Sequence, residues 1–166
     1  MKFEHLVQIN TPDQPKTNWL TRDQLWIGLR TRAWKPTQFI LGLEHADVVE
    51  FKQINGITTL HRKLHYGSFC VEDTVELHTG DRTKTTIRPS RLCGPSTLII
   101  QIEEPEPDIL YLRFQYQVIE AEGLSPTDQP TQDQDEMRKQ AYKAADLDTV
   151  NTIRELALAQ STRPLE

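Results

Sequence analysis

A two-residue turn at Gly67 and Ser68 organises the centre of this sequence. Glycine readily adopts the positive φ that the first position of such a hairpin turn requires. Residues in opposed positions of the two flanking strands are matched, apolar with apolar and cation with carboxylate, and their side chains share one face of the hairpin. These opposed pairs are Tyr66 with Phe69, Leu64 with Val71, and Arg62 with Asp73. The sequence therefore predicts an antiparallel sheet that turns this largely apolar face toward a core.

One pair on this face, Arg62 with Asp73, is charged although its neighbours are aliphatic. Removing both ions from water costs several kcal/mol per ion, and two apolar side chains of similar volume would often stabilise a fold equally well. A charge pair in this position is therefore typical either of a structural ion pair or of the polar end of a pocket. The sequence leaves both interpretations open.

The remaining strands follow the same alternation. The first strand places His5 on its apolar side, together with Phe3, Val7 and Ile9. Six more strands are predicted in the central part of the chain, and the short turns between them make sequential neighbours antiparallel. Their predicted ranges are 44–53, 58–66, 69–78, 82–88, 97–103 and 109–118. The last pair again has one apolar face, which includes Phe114 and Tyr116. The turn at Gly80 and Asp81 leaves the register of one hairpin undecided by one residue.

Two short helices are predicted after the first strand, and one long helix near the end of the chain. Thr21 and Gln24 have the spacing of a capping box, which begins the first helix. This helix should end near Trp34, because Pro36 disfavours helix at the residue before it. A second helical segment is predicted over residues 36–41. The last helix, over residues 133–160, would be about 40 Å long at 1.5 Å per residue.

The last helix is predicted to turn small residues toward the sheet along its first half. The residues assigned to this inward side are Met137, Ala141, Ala144 and Ala145. Their small volume favours a cavity beneath the helix, although close packing of helix on sheet is also compatible with alanine. Asp148 lies about one turn beyond Ala144, so it is preferred over Asp146 as an inward carboxylate.

Composition excludes several classes of protein. The 166 residues are predicted to form one domain, residues 1–166, with a core that needs no disulfide bonds. Cys70 on an outward strand face and Cys93 in a loop are expected to be reduced thiols. The net charge of -5 and the scattered basic residues argue against a nucleic-acid partner. The sequence shows neither a membrane span nor a signal peptide, and predicts a cytoplasmic protein without metal or cofactor.

The order of elements resembles the START-like helix-grip fold of the birch pollen allergen and the SRPBCC superfamily. Several segments also resemble the AtaL-like family, named for a protein of the acetylaranotin biosynthesis cluster, namely 25–29, 62–67, 98–104, 112–116 and 141–150. The resemblance implies an α+β fold in which a curved, seven-stranded antiparallel sheet wraps around a long C-terminal helix, with two short helices after the first strand. It also implies a hydrophobic cavity between sheet and long helix, and no settled activity.

The sequence thus predicts a protein that binds a small, mainly hydrophobic molecule. A cavity for such a ligand is lined by apolar side chains with a few polar anchors. The residues predicted to contact the ligand are His5, Arg62, Tyr66, Asp73, Phe114, Tyr116, Ala144 and Asp148. Two alternatives remain: an enzyme of small-molecule biosynthesis, such as a cyclase or dehydratase that uses an inward carboxylate as acid or base, and a protein-interaction module. A homodimer also stays open.

Overall fold

Seven antiparallel strands form one sheet in the computed structural model of the protein, which describes residues 1–89, 94–120, 123, 125, 127 and 129–161. The strands are β1 (Lys2–Gln8), β2 (His45–Ile54), β3 (Ile57–His65), β4 (Cys70–His78), β5 (Arg82–Ile87), β6 (Ser96–Glu106) and β7 (Ile109–Val118). Their order in the sheet is β1-β7-β6-β5-β4-β3-β2. The edge strands of the sheet are therefore β1, the first strand of the chain, and β2, the first strand after the helical segment.

The predicted turn at Gly67 closes the β3–β4 hairpin. The amide of Tyr66 donates to the carbonyl of Phe69 over 2.9 Å, and Gly67 has a φ of +76°. The predicted pairing of Arg62 with Asp73 is confirmed. Phe69, which the alternation predicts on the buried face, is 58% exposed, because it lies at the tip of the hairpin, where its ring stacks on that of Tyr66.

The β4–β5 register, which the sequence left undecided, places Asp73 opposite Ile87. Thr83 and Thr85 therefore lie on the inner face with Asp73, and both are buried. Because side chains alternate along a strand, Thr86 belongs to the outer face. The hydroxyl groups of Thr83 and Thr85 therefore add polar atoms to a largely apolar inner face.

Helix α1 (Arg22–Trp34) begins and ends where the sequence predicts. Thr21 Oγ1 accepts from the amide of Gln24, and the Gln24 side chain accepts from the amide of Thr21, so the capping box is complete. The second helix is a shorter 3-10 helix, Pro36–Gln38. The long helix α2 (Gln132–Ser161) matches its predicted range to within a residue at each end.

The core lies between the inner face of the sheet and the two α-helices. Its fully buried members include Leu60, Ile100, Leu110, Leu112 and Phe114 from the sheet, Leu25 and Leu29 from α1, and Ile153 from α2. The helices approach so closely at Gly28 that a Cβ atom there would lie 2.5 Å from Cγ2 of Ile153. Glycine is therefore required at this point of the α1–α2 contact.

The inward face of α2 differs from the predicted one. Met137 is 73% exposed, and Ala141, Ala144, Ala145 and Asp148 are also exposed. The residues that face the sheet are Tyr142, Asp146, Thr149, Val150, Ile153 and Ala157, which recur at helical spacing. The error arose because two polar residues, Tyr142 and Asp146, occupy inward positions, so the apolar pattern indicated the wrong face.

Cys70 is exposed with a free thiol, as predicted, whereas Cys93 and part of the connection between β7 and α2 lie outside the described residues. Among the residues that the structure describes, no helix is both long and apolar enough to cross a membrane.

Candidate functional site

Arg62 and Asp73 form a buried, two-pronged ion pair on the inner face of the sheet. Nε of Arg62 donates to Oδ1 of Asp73 over 2.8 Å, and Nη2 donates to Oδ2 over 2.6 Å. The third nitrogen, Nη1, donates over 2.8 Å to the carbonyl of Ala33, one of the last carbonyls of α1. Such carbonyls lack a partner within their own helix. Each guanidinium nitrogen is therefore bonded, and the pair ties the β3–β4 hairpin to the end of α1.

A cavity of about 150 Å³ lies beside this ion pair. It occupies the end of the sheet where β3, β5 and β7 finish and β6 begins, between the sheet, Arg32 of α1 and Tyr142 of α2. The apolar residues that line it are Ile40, Leu64, Ile87, Leu98 and Val118, and the polar ones include Arg32, Arg62, Tyr66, Asp73, Thr85, Tyr116 and Tyr142. The cavity thus combines an aliphatic wall, which can contact an apolar ring, with several polar groups.

Asp146 of α2 forms a second buried polar cluster with residues from both strands at the β1 edge of the sheet. Its side chain is 2% exposed. The hydroxyl of Tyr116 donates to Oδ1, and Nδ1 of His5 lies 3.1 Å from Oδ2. A carboxylate only accepts hydrogen bonds, so Nδ1 of His5 carries the proton when Asp146 is ionised. Tyr116 also lines the cavity and therefore links Asp146 to it.

Burial controls the ionisation of this cluster. Loss of hydration raises the pKa of Asp146 above its ordinary value, although the hydrogen bonds from Tyr116 and His5 oppose that rise. Loss of hydration also raises the pKa of Tyr116 far above the usual range, and the neighbouring carboxylate raises it further. Tyr116 is therefore a neutral donor at physiological pH, and Asp146 is a carboxyl group that holds its proton more tightly than an exposed one.

We expect Asp146→Asn to remove a pH-dependent contribution to stability. Because the folded pKa lies above the ordinary value of 3.8, the folded state is stabilised by the proton below that value and loses this stabilisation as the pH rises through the folded pKa. The difference in unfolding free energy between wild type and Asp146→Asn should therefore fall as the pH rises from about 3 to 7, measured by urea denaturation. Asp148→Asn, an exposed change of the same kind on the same helix, serves as the matched control. A pH-independent difference for Asp146→Asn would contradict this assignment.

Arg32 of α1 lies in the wall of the cavity. Its guanidinium makes no hydrogen bond or ion pair with any residue that the structure describes, and its Nε is buried. Burial lowers the pKa of Arg32, and the nearby charge of Arg62 lowers it further. Arginine remains protonated in proteins even so. The cavity wall therefore contains one guanidinium that Asp73 neutralises and one that forms no ion pair with any described residue.

The structure brings together only part of the predicted site. Arg62, Tyr66, Asp73 and Tyr116 line the cavity. His5 and Phe114 lie on the inner face behind it; His5 contacts Asp146, and Phe114 is buried in the core. The placement of Ala144 and Asp148 at the site is wrong, because both are exposed on the opposite side of α2.

The predicted site lacked three residues, Arg32, Tyr142 and Asp146. A helical count backward from Ile153 and Val150 would have reached Asp146 and then Tyr142. The ring of Tyr142 stacks on that of Tyr116 with centroids 4.1 Å apart, so it holds the phenol that bonds Asp146. Arg32 directly precedes the buried Ala33 of α1. This position next to an inward residue is the sequence signal that could have indicated that Arg32 lies near the core.

Residues 5–160 match the family model described as AtaL, acetylaranotin biosynthesis cluster protein L. No curated protein sequence matches the chain. The family match covers almost all of the chain, from the second half of β1 to the last turn of α2.

Solved structures with the same architecture include a di-domain ARO/CYC protein, an aromatase/cyclase and Ara h 8.0201. The di-domain ARO/CYC StfQ from the steffimycin biosynthetic pathway aligns with a TM-score of 0.63 at 10% identity, over 98% of this chain and 52% of that one. The chain thus spans about half of StfQ. Ara h 8.0201 aligns with a TM-score of 0.58 at 11% identity, over 96% and 98% of the two chains.

The Zhui aromatase/cyclase from a Streptomyces species aligns with a TM-score of 0.59 at 12% identity, over 97% of this chain and 95% of that one. Identities this low show the fold alone. The three structural alignments confirm the predicted START-like helix-grip architecture, with the curved sheet, the two short helices and the long C-terminal helix.

Proposed function

Because the chain belongs to the AtaL family and has the helix-grip fold, we propose that it binds a small, mainly hydrophobic molecule in the cavity between the sheet and α2. The observation that supports this proposal is the cavity itself, which combines aliphatic walls with buried polar groups. Ligand sites have this composition, with apolar surface for affinity and a few polar groups for orientation. A domain with only a structural role has no need of a void at this position.

The cavity volume indicates how much of a ligand can be enclosed. An apolar cavity of about 150 Å³ accommodates one benzene ring, as an engineered example shows, and the cavity here has a volume of about 150 Å³. The ligand therefore places one ring, or a portion of similar size, beside Leu98 and Ile87. Any larger part of it extends toward the partly exposed rim at Tyr66 and Tyr142.

We expect Thr85→Phe to abolish ligand binding while leaving the fold intact. Thr85 lies in the cavity wall on the inner face of β5, so the added ring fills the void instead of displacing packed atoms. Nitrobenzene, a neutral one-ring probe, should shift the amide NMR signals of cavity residues in the wild-type protein. The same titration of Thr85→Phe should give no shifts at those positions.

Thr83→Phe provides the matched control, because Thr83 is the same residue type on the same face of the same strand. It is buried but lies outside the cavity wall. Thr83→Phe should therefore overpack the core and lower the free energy of unfolding by about 1 to 3 kcal/mol. Equal losses of stability for the two variants, together with absence of nitrobenzene binding by the wild type, would contradict a ligand-binding role for the cavity.

The buried Asp146 cluster favours a second candidate function, an enzyme of small-molecule biosynthesis. Tyr116 lines the cavity and donates to Asp146, whose pKa is raised by burial, so a proton could pass between a bound molecule and this carboxyl group through the phenol. Cyclisation and dehydration both require such acid or base groups. A candidate ligand that is recovered unchanged favours the binding function. Conversion that is lost in Asp146→Asn, while binding is retained, favours the enzyme.

A further inference from the structure

Among the described residues that line the cavity, the positively charged side chains outnumber the negatively charged ones. Two guanidinium groups, Arg32 and Arg62, line the space, and Asp73 is the carboxylate that lines it with them. The two prongs of Asp73 are both occupied by Arg62. Asp146 lies behind Tyr116 and is bonded by that residue and by His5. None of the residues that the structure describes therefore forms an ion pair with Arg32, and the charges of Asp146 and Asp73 act on it only from beyond hydrogen-bonding distance.

A partly buried guanidinium without an ion-pair partner is unfavourable for the fold. Burial of a charge without a paired, hydrogen-bonded partner is strongly unfavourable in proteins. Nε of Arg32 is buried without a hydrogen-bond partner. The two Nη atoms also form no hydrogen bond with a described residue, but they are not fully buried and therefore remain accessible to a ligand. These two nitrogens form the fork with which arginine binds planar oxyanions.

The neighbouring ion pair shows which chemical group satisfies an arginine in this environment. Arg62 is fully bonded by one carboxylate and one carbonyl within the same cavity wall. An isolated neutral acceptor could accept one hydrogen bond from Arg32 but would leave its charge unpaired. A carboxylate supplies both the negative charge and two parallel acceptors.

We propose that the molecule bound in this cavity is a carboxylic acid whose carboxylate binds the Nη atoms of Arg32 and whose apolar ring lies against the aliphatic wall. This inference rests on the proposed ligand-binding function and adds the chemical class of the ligand. Arg62 and Asp73 form a neutral boundary beside the ring, and Arg32 provides the charge that selects for an acid.

The experiment compares two probes of nearly equal size, benzoate and nitrobenzene, which differ in charge. Both are titrated at neutral pH into the full chain, and binding is followed by amide NMR shifts. Benzoate should bind the wild-type protein more tightly than nitrobenzene does, and Arg32→Met should weaken benzoate binding by about tenfold or more, as expected for loss of a charge-assisted bond. Binding of nitrobenzene should change little in Arg32→Met.

Arg30→Met is the matched control, since Arg30 lies on the exposed side of the same helix. It removes the same charge and should leave benzoate affinity unchanged. Arg32→Lys retains the charge without the fork and should give an intermediate affinity. Equal loss in Arg30→Met and Arg32→Met would show that the net charge of the protein, and not a site at Arg32, attracts benzoate, and would overturn the proposal.

Stability provides an independent readout. If Arg32 serves a ligand and not the fold, Arg32→Met should unfold at a temperature no lower than that of the wild type, because an unpaired buried charge is replaced by an apolar side chain. A clear loss of stability would show that Arg32 has a structural role and would overturn the proposal. Nitrobenzene binding without any preference for benzoate would overturn it too, while leaving the cavity as a ligand site. Failure of both probes to bind would contradict the ligand-binding function itself.

Discussion

Arg62→Ala and Asp73→Ala are each expected to lower the free energy of unfolding by about 3 to 5 kcal/mol, because removal of one partner leaves a buried charge uncompensated. Both side chains are almost completely buried, with relative exposures of 2% and 1%. Arg62→Ala also frees the carbonyl of Ala33 at the end of α1. Urea denaturation of the two variants measures these losses directly.

A double-mutant cycle separates the pair from its individual members. The cycle uses Arg62→Met and Asp73→Leu; since most of each single loss reflects the stranded partner, the double variant should be more stable than either of these two single variants. The exposed pair of Arg88 and Glu72 offers a matched comparison, because its atoms lie 2.7 Å apart on the outer face of the same sheet. Its coupling should stay below about 1 kcal/mol. Similar coupling for the two pairs would contradict the importance of burial.

Gly28→Ala should destabilise the protein by about 1 to 3 kcal/mol through overpacking at the contact between α1 and α2. Its Cβ atom would approach Cγ2 of Ile153 to 2.5 Å and Cγ1 to 2.7 Å. On an isolated helix the same change would be stabilising by about 1 kcal/mol, since alanine has the higher helix propensity. Steric overlap therefore has to outweigh a favourable local effect, and thermal or chemical unfolding reports the net sign.

Two changes at Ile153 distinguish this clash from other causes. Ile153→Ala removes both of the overlapping carbons, so in that background Gly28→Ala should become neutral or stabilising. Ile153→Val retains a branched Cβ with two carbons attached, so Gly28→Ala should remain destabilising there. If Gly28→Ala were equally costly in both backgrounds, the contact with Ile153 would not be its cause.

The sequence predicted the sheet well because its signals are local. A glycine at a two-residue turn sets the register of a hairpin, and alternation then assigns every later residue to a face. This reasoning placed Arg62 opposite Asp73 and paired Phe114 and Tyr116 with β6, as the structure confirms. The β4–β5 hairpin stayed undecided because a turn that contains Gly80 can have two or three residues, and the structure has three, Thr79 to Asp81.

The sequence indicates the wrong inward face for the long helix because the true inward face contains polar residues. Sequence periodicity detects inward residues by their apolar character, whereas the inward side of α2 contains Tyr142 and Asp146 above the cavity. Sites that carry buried polar groups depart from the pattern expected of a core. Arg32 escaped prediction similarly, because nothing in the sequence shows that a charged helix residue lacks a partner in the folded chain.

The pairing of β1 with β7 has a consequence for the order of folding. The β3–β4 hairpin closes over a short stretch of chain, whereas the amino group of Met1 bonds the carbonyl of Val118, 117 residues away. Contacts between such distant segments close slowly, because a long loop must lose its conformational freedom first. His5 is on β1 and Asp146 is on α2, 141 residues apart, so the carboxyl cluster is completed only after these distant segments have met. An incompletely folded chain would thus retain the Arg62–Asp73 hairpin but lack the His5 contact to Asp146, and perturbation of His5 can serve as a reporter of the final folding step.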